Sequence, residues 1–151
     1  MRPTARFLAV AMLCICITGC ATVQQTPSLN TPSGRPEITV PADRVDSVIA
    51  YVLSFSIDRG YTIRQQTPAM IMMERPANDL QTSMLYGTRF NANPNLRSTW
   101  IIIRSGDTSR IVGDFAIVTN PGSGYEYVNQ ITRGPALHTM QEILTTAAAL
   151  R

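Results

Sequence analysis

Lysine is missing from this 151-residue chain, and all thirteen of its cationic side chains are arginines. Cysteine stops at Cys20, histidine occurs once, at His138, and tryptophan once, at Trp100. Each scarcity removes a class of chemistry. Without cysteine beyond residue 20, the body of the chain has no disulfide framework and no thiol nucleophile. A lone histidine cannot supply a zinc site of the histidine-pair kind, and no serine sits in a nucleophile-elbow pattern. The acids are scattered, with no spaced pair of the kind that glycoside hydrolysis requires. These absences predict no catalytic residue, no metal ligand set and no cofactor, and a chain that is not an enzyme.

Charge is equally uninformative once the first residues are set aside. Without Arg2 and Arg6, eleven arginines face ten acids, a net charge of about +1. That field is too weak to argue for nucleic acid or for an anionic lipid surface. The exclusive use of arginine reads as the codon usage of a GC-rich genome.

What is present begins at the amino terminus. Met1 to Arg6 holds two arginines and no acid, and Phe7 to Ile17 is an uninterrupted apolar run. That run is shorter than the roughly 20 residues a stable transmembrane helix needs, and its flanks are those of a secretory signal peptide. Ile17-Thr18-Gly19-Cys20 resembles the lipobox of bacterial lipoproteins. The resemblance implies a lipid on the Cys20 sulfur, cleavage between Gly19 and Cys20, and an acylated new amino terminus. Several acyl chains, at about 0.8 kcal/mol per buried methylene, make such anchoring stable. Ala21, where an aspartate would signal retention, implies delivery to a Gram-negative outer membrane with the chain facing the periplasm.

Ala21 to Pro36 is rich in Thr, Ser, Pro and Gln and carries one charge. Such a segment buries too little to fold and reads as a flexible linker. The expected organisation is a signal peptide over 1–19, a lipidated terminus and linker over 20–36, and one domain over 37–151. About 115 residues suffice for one hydrophobic core and not two.

Within the domain, Val45, Val48, Ile49, Val52 and Leu53 form one apolar stripe, predicting a helix over Pro41 to Arg59 that stops at Gly60. Tyr61 to Gln65 and Met70 to Glu74 read as a hairpin turning at Thr67-Pro68, and Thr82 to Asn91 as a weaker strand with a bulge at Gly87. Asn93 to Asn95 reads as a loop. Ser98 to Ser105 and Ser109 to Thr119 close at Gly106-Asp107, and Asn120 to Gly124 is a turn before a sixth strand over Tyr125 to Ile131. Gly134-Pro135 opens a last helix with Leu137, Met140, Leu144, Ala147 and Ala148 inward. The fold class is therefore α+β: about six antiparallel strands between an N-terminal and a C-terminal helix. The element order is similar to that of helix-grip domains, in which a curved sheet wraps a C-terminal helix.

The Gly106-Asp107 hairpin sorts its residues into two faces. Trp100, Ile102, Ile111, Phe115 and Ile117 share one, with Gly113 opposite Trp100 leaving room for the indole. Ile101, Ile103, Val112, Ala116 and Val118 share the other, relieved by Thr99, Arg110 and Asp114. That second face is too apolar for a sheet side exposed only to water. Ile101, Ile103, Val112 and Val118 are accordingly a candidate interaction surface unless the first helix covers them. Met70 and Met72, with Met73 and Met84, suit a shape-adaptable core or soft copper(I) ligation, and the core reading is preferred. The Asn120 to Gly124 amides suit an anion nest or a plain turn, and the turn is preferred.

Two functions fit. The first is an envelope lipoprotein acting through a protein partner or a second copy of itself. The alternative is a small-ligand module with a cavity between the sheet and the last helix. A large apolar pocket favours the second, a flat apolar patch the first. The anchor has its own test: Cys20→Ser should release the protein from membranes or halt its processing. Mass spectrometry of the mature amino terminus checks this, and an unmodified terminus upstream of Cys20 would contradict it.

Overall fold

A computed structural model describes residues 28–87 and 94–150, so the signal peptide and Cys20 lie outside the described residues. Strand β1 (Glu37–Pro41) and a 3-10 turn (Ala42–Arg44) lead into helix α1 (Val45–Ile57). A hairpin of β2 (Thr62–Thr67) and β3 (Met70–Pro76) follows, then the short helix α2 (Leu80–Tyr86). The long strands β4 (Asn95–Ser105) and β5 (Thr108–Thr119), strand β6 (Tyr127–Ile131) and helix α3 (Pro135–Ala149) complete the chain. The fold is α+β, with one six-stranded antiparallel sheet in the order β1-β5-β4-β3-β2. Strands β1 and β6 lie end to end along the same edge of β5, pairing with residues 108–112 and 115–119.

The β4–β5 hairpin has the expected register: Arg104 faces Ser109, Ile102 faces Ile111 and Trp100 faces Gly113. Both long helices pack on the Trp100 side. Val45, Val48, Ile49 and Val52 of α1 and Leu137, Met140 and Leu144 of α3 share one core with Ile71, Trp100, Ile102 and Ile111. Burying each such aliphatic side chain contributes roughly 1.5–3 kcal/mol. Polar links fix α3 against the sheet edge. Gln141 accepts from the Glu37 amide at 2.8 Å and donates to the Glu37 carbonyl at 3.1 Å. Arg44 donates to the Ala148 and Leu150 carbonyls at the C-terminal end of α3, where a cation also suits the helix dipole.

Several expectations need correction. Residues 37–40, given no element from the sequence, and Pro41, expected to start the helix, form β1, whose backbone is extended between Pro36 and the Ala42 turn. The first helix is shorter than 41–59, because that strand and the 3-10 turn consume its first residues. The segment expected as a strand from Thr82 begins as helix α2, with no bulge at Gly87. Asp79 explains it, since its carboxylate accepts the Thr82 amide at 2.6 Å and caps the helix start. The rest of that expected strand, 88–91, lies outside the described residues. Asn95 opens β4 and is no longer loop. On α3, Ile143 takes the buried place expected of Ala148, which is only half-buried.

The folded unit also begins earlier than residue 37. Leu29 packs against the core, Pro36 is fully buried, and the Gly113 amide donates to the Pro36 carbonyl at 2.7 Å. Arg35 pairs with Asp114 through two oxygens, at 2.6 and 2.9 Å. Low hydrophobicity does not prevent ordering when a neighbouring strand offers an edge and a charge.

Gly113 has the tightest surroundings in the sheet. A Cβ built there would sit 2.8 Å from Met140 Cε and 3.0 Å from Trp100 Cζ3. The methionine tip can move, but the ring atom belongs to a buried plane. Gly113→Val should therefore destabilise the fold by about 1–3 kcal/mol through overpacking, and Gly113→Ala by less. Urea unfolding followed by Trp100 fluorescence checks this.

A candidate ligand cleft beside Trp100

The helix end before β2 places the first cleft residues. Gly60, at φ 80, lets the Tyr61 amide donate to the Ser56 carbonyl (3.1 Å) and its own amide to the Ile57 carbonyl (2.9 Å). This is a Schellman closure, which stops α1 and swings Tyr61 towards the sheet. Arg59 folds back, donating to the Phe55 carbonyl at 3.2 Å with its guanidinium 3.3 Å from the Phe55 ring centre. Arg75, the penultimate residue of β3, lies 5.2 Å from the Tyr61 ring centre.

Between these groups lies a cleft of about 600 Å³. Its floor is Leu96, Ser98 and Trp100 of β4 with Phe115 and Ile117 of β5. The C-terminal end of α1 and the first turns of α3 (Ala136, Thr139, Met140, Ile143) form its walls, and Tyr61, Arg75 and Thr82 its rim. The space exists because the apolar side chains gather in two clusters. The main core holds Trp100 and Met140, and a smaller one holds Ala77, Leu96 and Ile117. Ser98 lies in register between Met73 and Phe115 and is too small to close the gap.

Two polar atoms of the cleft-lining residues are buried without a hydrogen-bond partner among the described residues: Arg75 Nε and Trp100 Nε1. Both are donors. A buried donor left unpaired costs about 1–3 kcal/mol, and both atoms are closed to solvent, behind the cleft surface. No carboxylate, imidazole or thiol lines the cleft among the described residues. Hydrogen bonds with Thr82 chiefly lower the Asp79 pKa, and the charge of Arg75 adds a smaller effect in the same direction. The arrangement can hold an apolar body and an acceptor group. It offers no nucleophile with an adjacent base.

The opposite sheet face is organised by charge. Glu74, 3% exposed, accepts from Arg97 Nε at 2.6 Å and from Asn95 Nδ2 at 3.1 Å, and Arg64 lies 3.3 Å away. Arg97 reaches on to Glu126 at 2.7 Å, and Glu126 accepts the Gly122 amide at 2.8 Å. The nest-like turn thus holds an anion belonging to its own chain. Burial works against the charge of Arg97, but the hydrogen bonds to Glu126 and Glu74 outweigh it and hold its pKa up. The Gly122 amide, then Arg97, hold the Glu126 carboxyl below its ordinary range.

The four candidate surface residues share that face, as alternation requires, but not one environment. Val112 and Val118 are buried, at 1% and 0% exposure, Ile101 is half-buried, and Ile103 is 43% exposed. Neither long helix covers them, because both pack on the Trp100 side. Met70 and Met72 point to this face, Met73 lies in the core, and Met84 is exposed on α2. The methionines therefore form no single ligand set. No group of three His, Cys, Asp or Glu able to hold a metal occurs among the described residues. His138 is half-buried on α3 and does not line the cleft.

Sequence reasoning placed Trp100, Phe115, Ile117 and Met140 on the inner side but did not single out Arg59, Tyr61 or Arg75. The alternation of Met73 and Arg75 was the available signal, and it marks Arg75 as inward-facing. No protein-family model matches this chain, and no curated protein matches it significantly.

Arg97→Met should destabilise the domain by about 3 kcal/mol, because it strips the closest cation from a buried carboxylate. The Glu126 pKa is lower folded than unfolded, so its stabilisation is complete above the ordinary value of 4.5 and fades as pH falls through the folded value. Urea midpoints measured across that range should fall less steeply for Glu126→Gln than for the unmodified protein.

Proposed function

We propose that this protein is a bacterial envelope lipoprotein whose α+β domain binds a small, largely apolar ligand in the cleft beside Trp100. The leader and its Ile17-Thr18-Gly19-Cys20 box support lipidation on Cys20, and Ala21 supports the periplasmic side of the outer membrane. Seven residues separate Cys20 from the first described residue, Ser28. At roughly 3.3–3.6 Å per extended residue, they keep the domain within a few tens of ångströms of the bilayer.

The cleft is the observation that carries the ligand reading. Its volume of about 600 Å³ lies within the range of roughly 300–1,000 Å³ typical of ligand sites. Apolar and aromatic side chains dominate it, with a few polar groups at the rim. The rival reading, a protein partner on the Ile101 face, has less behind it. Val112 and Val118 are already buried, and charged pairs interrupt the remainder.

Trp100 is the chain's sole tryptophan and part of the cleft floor, so it reports directly on occupancy. The full mature chain carrying Cys20→Ser, with no acyl group of its own to compete, is titrated with an uncharged naphthylamine dye. Saturable energy transfer from Trp100 is expected. Thr139→Phe, which adds a ring at an exposed wall position, should weaken binding about tenfold while leaving the unfolding midpoint unchanged. Transfer that does not saturate, or that ignores Thr139→Phe, would count against the cleft as a site.

A further inference from the structure

We infer that the cleft takes an amphiphile, an acyl chain with one anionic head of carboxylate or phosphate type, and that Arg75 reads the head. The inference rests on the proposed ligand cleft and adds the chemistry of its occupant. Three observations converge on it. First, Arg75 brings to the cleft lining a guanidinium, which only donates, so a polar partner for it there would be an acceptor. Second, among the described residues the lining has no carboxylate, and none forms an ion pair with Arg75, Asp79 acting on it only at longer range. Third, the floor of Leu96, Trp100, Phe115 and Ile117 offers nothing polar beyond the Ser98 hydroxyl, which suits an acyl chain and not a sugar or a peptide.

The two rim arginines are not equivalent. Arg59 is stacked on Phe55 and donates to that residue's carbonyl. Arg75 lies over Tyr61 and has no acceptor for its buried Nε among the described residues. A guanidinium presents a planar fork that matches both oxygens of a carboxylate or phosphate, and the attraction is strengthened where water is excluded. Asp79 does not fill this role, since its carboxylate is engaged at the start of α2.

The test uses the full mature Cys20→Ser chain and an eight-carbon series kept below micelle formation: octanoate, octyl phosphate, octanol and octyltrimethylammonium. Acetate and inorganic phosphate serve as head-only controls, and Trp100 emission is the readout. Octanoate or octyl phosphate should bind about tenfold or more tightly than octanol and the cation, and the ratio between the two anions identifies the head. Arg75→Gln should abolish that preference while octanol binding persists, and Arg59→Gln should leave it in place. Equal binding of all four heads would overturn the anionic head and leave the cleft standing. Head-only anions binding as well as their octyl forms would overturn the acyl chain. No response to any octyl compound would remove the ligand cleft itself, and the inference with it. The head-group series on the unmodified cleft needs no folded variant to give its answer.

Discussion

The indole of Trp100, seated against the backbone of Gly113 and under the tip of Met140, is the contact from which the architecture follows. It joins the two longest strands to the C-terminal helix at one point. A side chain at residue 113 would push the ring towards α3, and α3 could no longer approach the sheet closely enough for Leu137 and Leu144 to reach the core. With the ring in place, both long helices gather on its side, and neither covers the other side of the sheet. The cleft is the outer margin of this same packing, where only the half-buried Tyr61 and Phe115 bridge the main core and the Leu96–Ile117 cluster.

Adjacent residues on β3 show how the two faces divide the work. Glu74 points to the side without helices and is surrounded by Arg97, Arg64 and Asn95. Its buried charge is compensated, and through Arg97 it also pulls the Glu126 turn onto the sheet. Arg75 points the other way, into the cleft, and finds an aromatic ring but no carboxylate. The arginine on one face is held in ion pairs, and the one on the other has none among the described residues.

The anchor and the cleft would work together at an envelope surface. The proposed lipid on Cys20 would keep the domain close to a bilayer, where amphiphiles are concentrated. No described helix is long and apolar enough to cross a membrane.

The sequence by itself determined the hairpin register, the two residue sets that face opposite ways, and the opening of α3 at Pro135. Each is a local matter: a two-residue loop sets the pairing, alternation sets the faces, and proline suits a first helical turn. The start of α2 was also locally encoded, in Asp79 and the Thr82 amide three residues on, although the apolar run after Thr82 reads equally well as a strand. Strand β1 was not legible, because Ile38 and Val40 are extended only by virtue of the β5 edge they pair with. Nor was the choice of one helical face over the other, which depends on where α1 and α3 meet each other. The cleft belongs wholly to the tertiary structure. It is a gap between side chains more than eighty residues apart, Arg59 on one wall and Met140 on the other, and only packing in three dimensions decides whether such a gap closes.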